Sequence, residues 1–311
     1  MSETIHGIHH VTAIGGEPVT NLDFYTRVLG LRLVKRTVNF DDPTTWHLYF
    51  GDEHGSPGTL MTFFPHPLAR AGRAGSGEVA RTTFAVPAGA LADWRQRLER
   101  EGLALEQTDE GDQHLLEVRD PHGTRLALTE SAGPSHVEPW TGGQVSADLA
   151  IRSIESVRLD VPDVDATVAF LQEMFGLQQV GGRGDRRWLD AGGGQRVEVK
   201  ASARPRAQLG AGSVHHVAFR VPDDEAHVAM QRRLAEGGYA VTEVKDRQYF
   251  RSIYFREPGG VIFEIATDVP GFATDEPEAE LGQRLKLPPW LESRRTELMQ
   301  SLPPLTQEVS S

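Results

Sequence analysis

Apolar residues recur along this chain in two rhythms, every second residue over short stretches and every third or fourth over longer ones, and the two alternate in a fixed order. Ile8 to Ile14 reads as a strand. Leu22, Tyr25 and Leu29 then fall on one helix face, with Pro18 near its start and Gly30 closing it. Three more strands follow, Leu31 to Asn39, Thr45 to Gly51 and Thr59 to Phe64. The same strand, helix, three-strand plan returns at Ala80 to Val86, with a helix through Leu91, Trp94 and Leu98, a cap at Gly102 and a closing strand Arg125 to Thr129. It returns again at Ser153 to Val161, with Val164, Val168, Leu171 and Phe175 on one face, Gly176 as the stop and Arg196 to Lys200 as the closing strand. The fourth copy opens at Val214 to Val221, runs a helix through Met230 and Leu234 to Gly237-Gly238, and ends in Asp246 to Thr267, two strands joined by a Pro-Gly-Gly turn.

A unit of roughly 50 to 60 residues written four times is a repeat architecture. One βαβββ unit cannot bury both faces of its sheet, so copies must pair, helices covering one face while the other curls into a cup. The expected fold is therefore α+β, four βαβββ modules in two tandem domains, 7–131 and 151–268. A Gly/Ser/Pro-containing linker spans 132–150, and a polar tail covers 269–311, in which Leu285 to Leu298 reads as a surface helix packing across the domains.

Composition narrows the function. With 311 residues, 39% of them hydrophobic, the chain can build full cores without staples. A net charge of −12 argues against nucleic acid or an anionic membrane as partner, since both require a basic face. Cysteine is absent, which removes disulfides, thiolate nucleophiles and soft metal ligands, so a bound metal must use nitrogen and oxygen. The N-terminus lacks the layout of a signal peptide and no apolar run approaches the roughly 20 residues of a membrane span. The expectation is a cytoplasmic enzyme or binding protein, with homo-oligomerisation left open.

Two modules open on the same doublet, Ile8-His9-His10-Val11-Thr12 and Val214-His215-His216-Val217-Ala218. Neighbours in a strand point to opposite faces. Strict alternation puts His215 with Val217, Phe219 and Val221 on the helix side and His216 in the cup; by the same rule His10 and Thr12 face the cup and His9 lies with Val11 and Ala13. In the closing strand Glu264 faces away from Val261, Phe263 and Ile265, and an unpaired buried carboxylate is so costly that a cation or strong donors must answer it. A single strand histidine is usually a hydrogen-bonded core residue; the repeated doublet and the carboxylate shift the reading of His10, His216 and Glu264 to a metal site. His6, His54, His66, His114, His122, His136 and His227 read as surface or turn residues, and His47 as an unassigned cup residue.

Equivalent positions separate the pairings. Opening and closing strands contribute His10 and Thr62 in module one, Arg81 and Ala127 in two, Ser156 and Glu198 in three, His216 and Glu264 in four. Pairing one with four assembles two histidines and a carboxylate; pairing two with three leaves Glu198 answered by Arg81 and no metal site. Two imidazoles and one carboxylate on one side of a metal leave positions open for substrate and dioxygen, as in non-haem Fe(II) oxygenases, while zinc or manganese would accept the same ligands.

The four βαβββ copies, HHVT near the start and FRSIYFREPGGVIFEIATDVPGF near the end resemble the vicinal oxygen chelate superfamily of glyoxalases, bleomycin resistance proteins and extradiol dioxygenases, and more narrowly its hydroquinone ring-cleaving dioxygenases. The resemblance implies Fe(II), or less often Mn(II), held by His10, His216 and Glu264. It also implies His9, Thr12, His215, Arg247 and Tyr254 near a small aromatic substrate that reacts with O2. In that reading Arg247 stabilises developing negative charge, and a histidine or Tyr254 moves protons. Catechol extradiol enzymes take all their ligands from the second half, where this chain has Glu155-Ser156, which favours a hydroquinone. The alternatives are a catechol dioxygenase, a glyoxalase-type isomerase or lyase, and a non-catalytic resistance protein that sequesters an aromatic ligand. Tyr249, Phe250, Trp46 and Phe63 are candidates for the pocket lining.

Overall fold

The computed structural model describes residues 5–110, 113–131 and 137–305. Module one comprises β1 (Ile8–Gly15), α1 (Pro18–Asp23), β2 (Arg32–Asn39), β3 (Asp42–Gly51) and β4 (Leu60–Pro65). Module two comprises β5 (Glu78–Val86), α2 (Leu91–Arg100), β6 (Glu106–Glu110), β7 (Gln113–Arg119) and β8 (Arg125–Glu130). Module three is β9 (Ser153–Val161), α3 (Val164–Phe175), β10 (Gln178–Arg183), β11 (Arg186–Gly192) and β12 (Gln195–Ala201). Module four is β13 (Ser213–Val221), α4 (Asp224–Glu236), β14 (Lys245–Asp246), β15 (Arg251–Arg256) and β16 (Ile262–Thr267).

Local chemistry sets the helix ends. Asp163 and Asp223 accept from the backbone N–H of Ala166 and Ala226 at 3.0 and 2.9 Å, the N-cap arrangement that satisfies an orphan donor. Gly176 ends α3 in the left-handed conformation, φ 74°. The first helix departs from expectation, because its second half, Phe24–Val28, winds as a π turn before Gly30.

Two eight-stranded sheets result, β14-β15-β16-β13-β1-β4-β3-β2 and β10-β11-β12-β9-β5-β8-β7-β6. Module one thus pairs with four and two with three, each pair joined through antiparallel opening strands. The convex faces carry the apolar core, including Phe175, Phe219 and Phe263 with ring centroids 5.0 to 5.9 Å apart. Gln195 ties the two sheets, accepting from Ile8 N at 2.7 Å and donating to Ile154 O at 2.9 Å. We propose 7–131 and 151–268 as the two tandem domains, each giving one module to each cup, with 132–150 as linker and 269–311 as tail. Residues 132–136 of that linker, with His136, lie outside the described residues, whereas Val145 and Ala150 are buried and Leu149 O accepts from Trp94 Nε1.

The tail corrects its expectation. Its helix covers only α5 (Arg295–Ser301), because Pro288 and Pro289 interrupt the Leu285 to Leu298 segment. The tail starts against module four, where Tyr249 stacks on Phe272 and bonds Asp275, and then runs along module one, where Leu285 bridges Arg36 and Trp46 Nε1 donates to Pro303 O at 2.7 Å. The fully buried Lys35 anchors its start on Asp275 and Glu276 at 2.8 and 2.5 Å.

Candidate active site

Both histidine doublets sit at β-bulges. Between β1 and β13 the register passes from Ile8↔Phe219 to His10↔Ala218, leaving His9 as an extra residue, and from Thr12↔His216 to Ala13↔Val214, leaving His215 as another. A bulge suspends the alternation of faces. His9 and His215 therefore join the cup beside His10 and His216, which corrects the helix-side placement that alternation predicts. Their rings meet edge to face, 5.1 Å apart in the first doublet and 5.0 Å in the second.

Cross-strand pairing lays out the cup floor in two ranks. One runs Tyr254, Glu264, Ala218, His10; the next runs His216, Thr12, Thr62, Tyr49. His10 Nε2 and His216 Nε2 lie 3.3 Å apart, and Glu264 Oε2 is 3.4 Å from the first and 2.8 Å from the second. Nitrogens and oxygens bound to one metal at roughly 2.1 Å sit about 3.0 to 3.4 Å apart for right-angle to tetrahedral geometry, so the triangle has the right size.

The surrounding hydrogen bonds leave lone pairs pointing inward. His9 Nδ1 and His10 Nδ1 are 2.9 Å apart; with His10 as the donor of that bond, its Nε2 carries a lone pair that faces the triangle. Ser252 donates its hydroxyl to Glu264 Oε1. Glu264 Oε2, fully buried, has no hydrogen-bond donor assigned to it among the described residues. Two acceptors facing each other in a dry site require a positive centre between them. For His216 burial prevails over the pull of Glu264 and lowers the imidazole, the neutral form a metal needs. Burial likewise lowers His9, and brings His215 down to about 3. Among the described residues this is the one cluster of metal-ligating groups, and its N, N, O donor set fits a divalent first-row metal.

Above the triangle opens a cavity of about 370 Å³, of small-ligand size, with Ile14, Phe40, Phe64 and Phe250 as apolar wall and His215, Arg247 and Tyr254 as polar lining. Arg247 Nε donates to Tyr254 OH at 3.1 Å, and the Tyr254 ring lies 5.6 Å from that of His216. Burial raises the Tyr254 hydroxyl well above its ordinary value, so the phenol stays protonated. Thr12 does not line the cavity: it bonds Thr62 at 2.8 Å, Thr62 meets His47 Nε2 at 3.0 Å, and His47 Nδ1 meets Tyr49 OH at 2.9 Å. His47 thus belongs to the cup with both ring nitrogens occupied.

Three pocket candidates fall elsewhere. Phe63 packs on Tyr25 on the convex side, Trp46 bonds the tail, and Tyr249 stacks on Phe272 behind the cavity wall, whereas Phe64, Tyr49 and Phe250 line it. His227 is buried on α4 with Nε2 3.0 Å from Ile265 O, not a surface residue, and His66 reaches the cavity rim. Ser252 and Asp41 went unnoticed in the sequence; Ser252 could have been found, since it stands two residues before Tyr254 and so on the same face.

In the second cup Arg81 and Glu198 stand where the first has His10 and Glu264, and Ser156 stands in place of His216. Ala80 and Glu155 are its bulged residues, and Arg81 reaches Glu110, Glu117 and Glu198 at 2.6, 2.8 and 3.1 Å.

The model of the Glyoxalase/Bleomycin resistance protein/Dioxygenase superfamily matches residues 7–128 and 153–265. The chain belongs to this superfamily. Superfamily members similar over the full length include a Bacillus subtilis (strain 168) protein with the provisional name ring-cleaving dioxygenase MhqO, 46% identical over 98% of both chains. Another is the chlorohydroquinone/hydroquinone 1,2-dioxygenase of Sphingobium indicum, 31% identical over 97% of both. A crystal structure of a provisionally assigned dioxygenase from Bacillus subtilis superposes with TM-score 0.94 at 46% identity, covering 98% of this chain and 99% of that one. Glyoxalase I from Zea mays, 15% identical over 84% of this chain and 92% of that one with TM-score 0.60, shares the superfamily fold.

Proposed function

We propose that this enzyme, a ring-cleaving dioxygenase, opens hydroquinones with O2, using Fe(II), or Mn(II) in its place, held by His10, His216 and Glu264. The observation that carries this reading is the inward-facing triangle of two imidazole nitrogens and one carboxylate oxygen at the floor of an aromatic-walled cavity. The name of the Sphingobium relative supports a hydroquinone in particular. A bound metal would supply Lewis acidity and a meeting point for substrate and O2. Glu155-Ser156 in the second cup offers no histidine pair, so the catechol arrangement has no support there.

The chain's own residues do the rest. Phe64 and Phe250 flank the ring and exclude water; His215, whose Nδ1 accepts from His216 Nδ1 when His216 Nε2 is free to bind metal, turns its Nε2–H to the cavity as a hydrogen-bond donor for a substrate oxygen; Tyr254 holds a proton at its phenol oxygen. Arg247 places fixed positive charge where negative charge develops. In the overall reaction the carbon–carbon bond beside a hydroxyl-bearing ring carbon breaks and both oxygen atoms enter the product, giving carboxylate and carbonyl ends without an external reductant. Protein purified anaerobically and reconstituted with Fe(II) is expected to consume one O2 per substituted hydroquinone. Absence of uptake across hydroquinones and catechols, with turnover of a thiol adduct in an isomerase assay, would overturn the reading.

A further inference from the structure

We infer that Asp41, on the turn between β2 and β3 of module one, is the positioning residue that aims Arg247 into the cavity. The inference rests on the function proposed above. Arg247 leaves module four from a tight turn. Gln248, beside it, is the one described non-glycine residue with positive φ, 67°, and Arg247 N donates to Phe250 O at 2.9 Å. That turn directs the guanidinium across the cavity mouth toward the other module. There Nη2 donates to Asp41 Oδ2 at 2.7 Å while Nε donates to Tyr254 OH, and the guanidinium carbon lies 5.2 Å from the Tyr254 ring centroid.

Asp41 has little else to do. Its side chain is 58% exposed, its carboxylate meets Arg247 and, at 3.8 Å, Lys245, and its backbone N–H is held by Asn39 Oδ1 at 3.0 Å. Phe40, beside it, lines the cavity and packs on Trp290 of the tail with centroids 5.7 Å apart, so the turn is itself fixed in place. A guanidinium presents its donors as a rigid fork. With Nε and Nη2 tied to Tyr254 and Asp41, the remaining edge, Nη1, has one direction, and that direction is set jointly by the first and last modules. Without the carboxylate, the terminal torsions of Arg247 are free to carry the charge out to water at the mouth, and a misplaced charge stabilises nothing.

Asp41→Asn is expected to lower kcat/KM for a hydroquinone by about 10- to 100-fold, mostly in kcat, with iron content and Tm unchanged. Asp41→Glu should return to within about threefold of wild type, and in an Arg247→Met background Asp41→Asn should add less than about twofold, the sign of two residues acting through one contact. A readout independent of turnover is the Nε–H resonance of Arg247 in protein labelled with 15N-arginine, assigned by its loss in Arg247→Met. In wild type it should be sharp and protected from exchange; in Asp41→Asn it should merge with those of exposed arginines. Unchanged protection in Asp41→Asn, or an equal loss of activity in both backgrounds, would overturn the assignment. If the wild type opened no hydroquinone, the proposed function would fail while the resonance still decided the role of Asp41.

Discussion

Replacing His10 by alanine is expected to strip the protein of bound metal and lower turnover by roughly a thousandfold or more, as loss of several kcal/mol of charge stabilisation requires. His216→Ala should behave alike, although the two histidines stand 206 residues apart. The reason is the pairing of modules. β1 and β13 are neighbours in one sheet, Thr12 opposite His216 and His10 opposite Ala218, and Ala218 in turn pairs with Glu264. Neither half of the chain can assemble the triangle alone. Metal content measured beside the unfolding temperature checks this, and His66→Ala, at the cavity rim, serves as the control with metal retained. Full occupancy in His10→Ala would mean that module one is not part of the site.

Arg81→Ala should be strongly destabilising, costing about 3 to 5 kcal/mol, because it removes the cation that meets all three carboxylates around it and leaves Arg186 to answer Glu110 and Glu198. Arg81 is 2% exposed and binds Glu110, Glu117 and Glu198, with Arg186 also bridging Glu110 and Glu198 at 2.6 and 3.0 Å. Burial, against the pull of the arginines, pushes Glu198 up to about 6, while Arg81 and Arg186 overcome burial to hold Glu110 down at about 2. The two carboxylates share the same cations, and Glu198 protonates first. Glu198 titrates at about 6 in the fold against its ordinary 4.5, so between those values the folded protein binds a proton that the unfolded chain lacks. Stability attributable to Glu198 therefore rises as pH falls through that window. Between pH 7.5 and 5 the unfolding free energy of wild type should gain about 1 kcal/mol on that of Glu198→Gln. Urea melts at both pH values test this. The Arg81→Ala defect should also shrink in acid and in the Arg81→Ala/Glu198→Gln double variant; a loss of equal size at both pH values would mean packing rather than charge sets it.

Much of this was legible in the sequence. Alternating apolar periods and glycine stops give the four modules because each period reports which face is buried, and the cross-module comparison of His10, His216, Glu198 and Arg81 leads to the observed pairing. What stayed hidden was local backbone geometry. The bulged residues of the opening strands are two histidines, His9 and His215, an alanine, Ala80, and a glutamate, Glu155, so no single residue type announces a break in alternation. In module one His47 and Thr62 face the cup as expected, whereas Trp46 and Phe63, candidates for the pocket lining, stand on the opposite faces of their strands and Phe64 lines the cavity instead. The tail was legible as amphipathic but not as docked on module one, since Lys35 with Asp275 and Glu276 is a tertiary ion pair without a local signal. His227 was misplaced because a buried histidine satisfied by one carbonyl, here Ile265 O, looks in sequence like any helix-surface histidine.

The central claim, one metal held by both ends of the chain, is tested most directly by anomalous diffraction. Crystals grown anaerobically with Fe(II) and measured on both sides of the iron edge should show a single strong peak within bonding distance of His10 Nε2, His216 Nε2 and Glu264 Oε2. A peak among Arg81, Ser156 and Glu198, or one that touches His216 and Glu264 but leaves His10 unbound, would contradict it.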